Sequence, residues 1–258
     1  MTAARLLLLL AVLQGACATH PPKPDTYDAR KELATEMARR AEWADAFRLV
    51  QRLLSERPDD AQVLALRGII YRDQGLRAEA LADLREAVRL EPKLAAAHSA
   101  LAILYDGEGE GEAALEHHRR AAELEPKNAA YLNNLAYSLF VHGQARDAIG
   151  VYQQALRLDP LNPRLRNNLG FAYAKTGDFR SAALQFERGG TPAEARNNLG
   201  FAYERGGNLA QAFEEYAEAA RLDPGLARAR ANLEHVAHTM GRPLPPDLAA
   251  VSAHHRGG

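Results

Sequence analysis

The chain has 258 residues, 47% of them hydrophobic, with 32 Lys and Arg against 33 Asp and Glu and a formal net charge of −1. That balance argues against nucleic acid as a main partner, because phosphate binding needs a concentrated basic face. A single cysteine excludes an internal disulfide and a cysteine-based zinc cluster.

Residues 1–16 read as an export signal. Arg5 gives a positive start and residues 6–13 an apolar run. The run is too short for a membrane span, which takes about 20 residues, and suits a secretory signal core. Two cuts fit: at Ala16-x-Ala18, which removes Cys17, or directly before Cys17. The second resembles the bacterial lipoprotein signal, in which the Cys carries lipid, and the placement of the only Cys at the end of the run favours it. Gln14 departs from that pattern, which has Leu or another aliphatic residue three before the Cys. Residues 17–26, with Pro21, Pro22 and Pro24, are expected to be an extended tether.

From Tyr27 the chain repeats itself. NNLGFAY occurs at 167–173 and again at 197–203, with a looser copy, NNLAYSL, at 133–139. Pro58, Pro92, Pro126 and Pro160 stand 34 residues apart, and Pro224 follows after 64. Calling Pro position 32 starts six units at Tyr27, Ala61, Ala95, Ala129, Pro163 and Ala193. Position 20 is then always Ala, and position 8 is always Ala or Gly. Position 15 is Gly in every unit but the first, which has Ala41.

Apolar residues fall three and four apart in each unit, so each holds two amphipathic helices. Gly at position 15 permits the positive φ that ends the first helix. Small residues at 8 and 20 let the two helices approach closely. Pro at 32 stops the second helix. A lone pair of this kind cannot bury its apolar faces, whereas stacked pairs make a continuous core. In the fifth unit Gly189-Gly190 ends the second helix early and Thr191-Pro192-Ala193-Glu194 reads as a capping box. A local change of curvature is expected there. Residues 227–240 read as a capping helix of the first type, and 241–258 as a flexible tail.

With small 8, aromatic 11, Ala 20 and Pro 32 in phase over residues 27–226, the chain resembles the tetratricopeptide repeat (TPR) family. The first unit departs most, with Met37 at position 11, Ala41 at 15 and Leu53 at 27. The resemblance implies an all-α fold, a right-handed α-solenoid of six helix-turn-helix repeats plus the capping helix.

No catalytic set is legible. There is no phosphate loop, no His-Glu-x-x-His pair and no nucleophile elbow. His117 and His118 are adjacent, so on a helix they point about 100° apart and cannot share a ligand. His254-His255 would hold metal only weakly. No cofactor, metal or small-molecule substrate is expected.

In the TPR family the first helices line the concave face. The resemblance therefore implies a partner-binding groove carrying Asn133, Asn134, Tyr137, Asn167, Asn168, Phe171, Asn197, Asn198, Phe201 and Asn232. An amide donates to and accepts from a peptide group at once. Neighbouring helices lie about 10 Å apart and an extended peptide rises about 3.3 Å per residue, so one Asn per unit meets every third ligand residue. Some of these amides can instead bond a neighbouring helix. The chain is similar to the bacterial TPR lipoproteins of pilus assembly, of the Tad/Flp and type IV pilotin kinds. That implies a non-enzymatic scaffold for a protein or peptide partner, exported to the periplasmic side of the envelope and held to a membrane by lipid on Cys17. A general envelope adaptor, and a non-catalytic subunit presenting substrate to an enzyme, stay open.

Overall fold

The computed structural model describes residues 26–249, so Cys17, the expected export signal and His254-His255 lie outside the described residues. Thirteen helices follow one another, and no strand occurs among the described residues. They pair as α1 (Tyr27–Arg39) with α2 (Trp43–Glu56), α3 (Ala61–Asp73) with α4 (Arg77–Leu90), and α5 (Ala95–Glu108) with α6 (Gly111–Leu124). Next come α7 (Ala129–Val141) with α8 (Ala145–Leu158), α9 (Pro163–Lys175) with α10 (Phe179–Gly189), and α11 (Pro192–Arg205) with α12 (Leu209–Leu222). The last, α13 (Ala227–Met240), stands where a seventh unit would begin.

The punctuation follows from residue type. Gly75, Gly109, Gly143, Gly177 and Gly207 take φ between 78° and 86° between first and second helices, and Ala41 takes φ 59° at the same place in the first unit. The in-phase prolines each follow the residue that caps a second helix. Those residues, Arg57, Glu91, Glu125, Asp159 and Asp223, are all driven out of the helical region, with φ −129° to −141°, as the steric demand of a following Pro requires. Asp60, Asn128 and Asn162 then accept N–H bonds from the next first helix. Thr191 and Glu194 close a reciprocal capping box at α11.

Position 8 is small because position 24 occupies the space above it. A Cβ on Gly170 would lie 2.5 Å from the Phe186 ring, and one on Gly200 would lie 2.7 Å from the Tyr216 ring. The row at position 24 is Val50, Leu84, His118, Tyr152, Phe186 and Tyr216, all buried. Helix α10 has 11 residues where every other second helix has 14, about 4.5 Å less at 1.5 Å per residue.

Consecutive helices pack together, and each first helix also touches the next first helix, from α1·α3 to α11·α13. Among the described residues no second helix contacts another second helix. First helices are therefore the more closely spaced row, and the array curves with them on its inner side. The end of the chain corrects one expectation. Residues 246–249 form a helical turn in which Leu248 is buried beside Phe213, Leu233 and Val236. Arg230 Nη2 donates to the Leu248 carbonyl at 2.8 Å and Arg221 Nε to Asp247 at 2.8 Å. This part of the expected tail is docked, because α13 lacks a second helix and its apolar side needs cover.

Candidate functional site: the inner face of the first helices

Positions 2, 6, 9 and 13 of a first helix are spaced four, three and four apart, so they share one stripe. In α7 the stripe reads Ala130, Asn134, Tyr137, Val141. In α9 it reads Arg164, Asn168, Phe171, Lys175, in α11 Glu194, Asn198, Phe201, Arg205, and in α13 Arg228, Asn232, His235, Thr239. Tyr137 is 50% exposed, Val141 48% and Phe201 44%, far more than their neighbours on the core side of the same helices. Phe171 is half-buried. It meets Phe186 of the core edge-on at 4.8 Å and Phe201 of the groove edge-on at 5.9 Å.

The amides form a ladder with one rule. The position-6 side chain donates to the position-5 acceptor of the preceding unit. Asn168 Nδ2 reaches Asn133 Oδ1 at 3.1 Å, Asn198 reaches Asn167 at 3.3 Å, and Asn232 reaches Asn197 at 3.0 Å. Asn134 extends the series by donating to Ser99 Oγ at 3.5 Å. Ser99 was missed in the sequence because it is not an amide. Its signal is the spacing of 35, one period plus one, shared with 133–168 and 197–232.

The ladder sorts the candidates. Position 5 lies between adjacent first helices: Asn197 is 5% exposed, and Asn167 donates to the Gly189 carbonyl at 3.3 Å. Asn197 is thereby removed from the surface a partner could touch. Asn133 is half-buried and also donates to Asn134 Oδ1 at 3.3 Å. Position 6 stands at the rim of the stripe. Its carbonyl oxygens at Asn168, Asn198 and Asn232 accept no hydrogen bond among the described residues. What the face offers is thus a row of acceptors beside exposed rings.

Further along, Asp106 of α5 gathers three donors: His118 Nε2 at 3.0 Å, His142 Nε2 at 3.1 Å and Ser138 Oγ at 2.9 Å. His117 turns away from His118 to face His98, with Nδ1 atoms 2.8 Å apart. No cluster of three or more His, Cys, Asp or Glu able to hold a metal occurs among the described residues, and no described helix is long and apolar enough to cross a membrane.

Family models described as TPR repeat or tetratricopeptide repeat match residues 61–94, 139–177 and 193–226. No curated protein sequence matches the chain. Among solved structures, PilW, described as a widely conserved type IV pilus biogenesis factor, superposes with a TM-score of 0.66 at 17% identity, over 80% of this chain and 98% of that one. PilF of Pseudomonas aeruginosa gives 0.63 at 16% identity over 80% and 95%. YrrB, described as a TPR protein with an unusual peptide-binding site, gives 0.58 at 21% identity over 70% and 95%. At these identities the likeness concerns the fold. Repeat matches, in-phase Gly and Pro, and a solenoid of paired helices agree: the chain is a tetratricopeptide repeat protein.

Proposed function

We propose that this chain is a non-enzymatic scaffold of the bacterial envelope that holds an extended segment of a partner protein along the inner face of α7, α9, α11 and α13. The observation that carries this reading is the continuous line of Asn134, Asn168, Asn198 and Asn232 beside the exposed Tyr137 and Phe201. The unpaired amide oxygens of Asn168, Asn198 and Asn232 await N–H donors, and an extended backbone supplies them at regular intervals. The rings add apolar contact, since Tyr and Phe bury large areas with few rotatable bonds. Likeness in fold to PilW and PilF supports a role in pilus or secretin assembly, and likeness to YrrB supports a peptide ligand. The export signal supports a periplasmic location with lipid on Cys17.

The test is crosslinked capture from an envelope fraction with identification by mass spectrometry. Tyr137→Ala with Phe201→Ala is expected to lose the captured partner while far-UV circular dichroism is unchanged, because both rings are exposed. An unchanged partner set would sink the groove reading. Palmitate labelling, lost on Cys17→Ala, tests the anchor separately.

A further inference from the structure

Charge is distributed unevenly along the inner face. Helices α7, α9 and α11 carry five cations, Arg164, Arg166, Lys175, Arg196 and Arg205, against two carboxylates, Glu194 and Glu204, a net +3 in a chain of net −1. Arg196 is paired with Glu215 of α12 at 3.0 Å and Arg166 donates to the Pro160 carbonyl, which leaves Arg164, Lys175 and Arg205 as the cations of the inner face. Both carboxylates are already engaged. Glu194 serves the α11 cap and accepts from Arg228 at 3.0 Å, and Glu204 accepts from the Tyr216 hydroxyl at 2.6 Å. Arg164, Lys175 and Arg205 are exposed, and none of their charged groups makes a hydrogen bond or ion pair among the described residues. All three lie on the amide–aromatic stripes, Lys175 and Arg205 at position 13 of successive units. The first helices of the other half differ. Helices α1, α3 and α5 carry five cations, Arg30, Lys31, Arg39, Arg67 and Arg72, against six carboxylates, Asp28, Glu32, Glu36, Asp73, Asp106 and Glu108, a net −1. Aliphatic Ile69 and Ile103 replace the rings there.

We infer that the segment held by units four to six is acidic, with Asp or Glu alternating with large apolar residues. This rests on the groove reading above and adds its chemistry. An extended strand turns alternate side chains to opposite sides. Its apolar residues then seat on Tyr137, Phe171 and Phe201, and its carboxylates reach the cations at the rim. Its backbone N–H groups meet the oxygens of Asn168, Asn198 and Asn232. Three units at about 10 Å each correspond to about ten extended residues. Single-stranded nucleic acid would meet the cations and stack its bases on the rings, but its sugar–phosphate backbone has no N–H groups for the oxygens of Asn168, Asn198 and Asn232.

The test is fluorescence anisotropy on the purified chain with labelled peptides of about twelve residues, alternating Glu with Leu and Phe, and with matched peptides carrying Gln or Lys in place of Glu. The Glu peptide is expected to bind about tenfold more tightly than the Gln peptide at low salt, and the Lys peptide least. The difference should shrink at about 0.5 M salt, where screening acts within a few ångströms. Lys175→Glu with Arg205→Glu, both exposed, should abolish it without loss of helicity. Equal binding of Glu and Gln peptides, lost on Phe201→Ala, overturns the acidic preference and leaves the groove standing. Binding of none of the peptides overturns both. Tighter capture of an unstructured oligonucleotide than of the Glu peptide, lost in the charge-reversed chain, overturns the peptide assignment.

Discussion

Ala41 shows how a single backbone angle records a unit's history. It holds φ 59° where every later unit has Gly, and it is the one non-glycine residue with positive φ among the described residues. For a residue with a Cβ this conformation costs about 1 kcal/mol. Ala41→Gly is therefore expected to stabilise the first unit by only about 0.5 kcal/mol, because the entropy that glycine adds to the unfolded chain offsets part of the relieved strain. Trp43, the only tryptophan, begins α2 of the same unit, so its fluorescence in a urea titration reports that region. A midpoint that falls in the Gly variant would show that the angle is not strained. At this scale the sequence is an uneven guide. The repetition of Asn at positions 5 and 6 was visible, but the rung from each position 6 to the preceding position 5 was not. That rung depends on the rotation between neighbouring units, which no pattern within a unit encodes. Asn197 and Asn198 are identical letters side by side. One is sealed between helices and the other stands at the groove because adjacent helical residues point about 100° apart.

At the scale of elements, the pair α5–α6 is built differently from its neighbours. Position 24, hydrophobic or tyrosine elsewhere, is His118, 2% exposed, with Nε2 on Asp106 and Nδ1 buried without a hydrogen-bond partner. A neutral ring with its proton on Nε2 satisfies this geometry; an imidazolium would bury an unpaired N–H. His98 bonds the Pro92 carbonyl through Nε2 at 3.1 Å, so its Nδ1 is the acceptor for His117 Nδ1–H. A proton on His98 Nδ1 would set two donors face to face. Burial is the largest cause that pushes all three histidines below their usual range. For His118 it outweighs the opposing pull of Asp106, and the charge of His142, which caps the end of α7, acts in the same direction as burial. The unfolded chain, with histidine near pH 6.5, then takes up protons first as the solution is acidified. This contribution is complete above about pH 6.5 and is lost as pH falls below it. His118 alone accounts for up to about 1.4 kcal/mol per pH unit over that window. Urea midpoints measured from about pH 7.5 to about pH 5.5 are expected to fall, and His118→Leu, which copies Leu84 at the same position of the second unit, should flatten the slope. A slope unchanged in His118→Leu would assign the acid sensitivity elsewhere. The divergence of His117 from His118 was legible from helical geometry. Their partners were not, since His98 and Asp106 both come from α5.

The whole molecule is a row in which each unit leans mainly on its neighbours, so stability is close to a sum of local terms. Its buried apolar residues divide accordingly. One cluster runs from Tyr27 to Ala114, a second from Leu115 to Ala172, a third joins Phe186 with Leu199, and a fourth joins Phe213 with Leu233 and Leu248. The helical repeats were readable because periodicity carries them, whereas the docking of 246–249 was not, since two Leu in a Pro-rich stretch, Leu244 and Leu248, are too few to show a period. That segment lets the local character be tested. Leu248 is 8% exposed and belongs only to the fourth cluster. Leu248→Asp removes its burial, about 2 kcal/mol, and sets a carboxylate against Phe213 and Val236. Amide hydrogen exchange is expected to speed up in α12 and α13, with the effect fading through α11. Helices α1 to α5, whose core is a separate cluster, should keep their protection. The ladder ties the two ends of this local region together, because Asn232 of α13 donates to Asn197 of α11. The groove's last rung should therefore loosen with α13, and affinity for an extended peptide should fall even though Leu248 packs with Leu233 and Val236 rather than on the groove stripe. Equal acceleration along all thirteen helices would mean that the array unfolds as one body, and that the division of its core into clusters has no energetic counterpart.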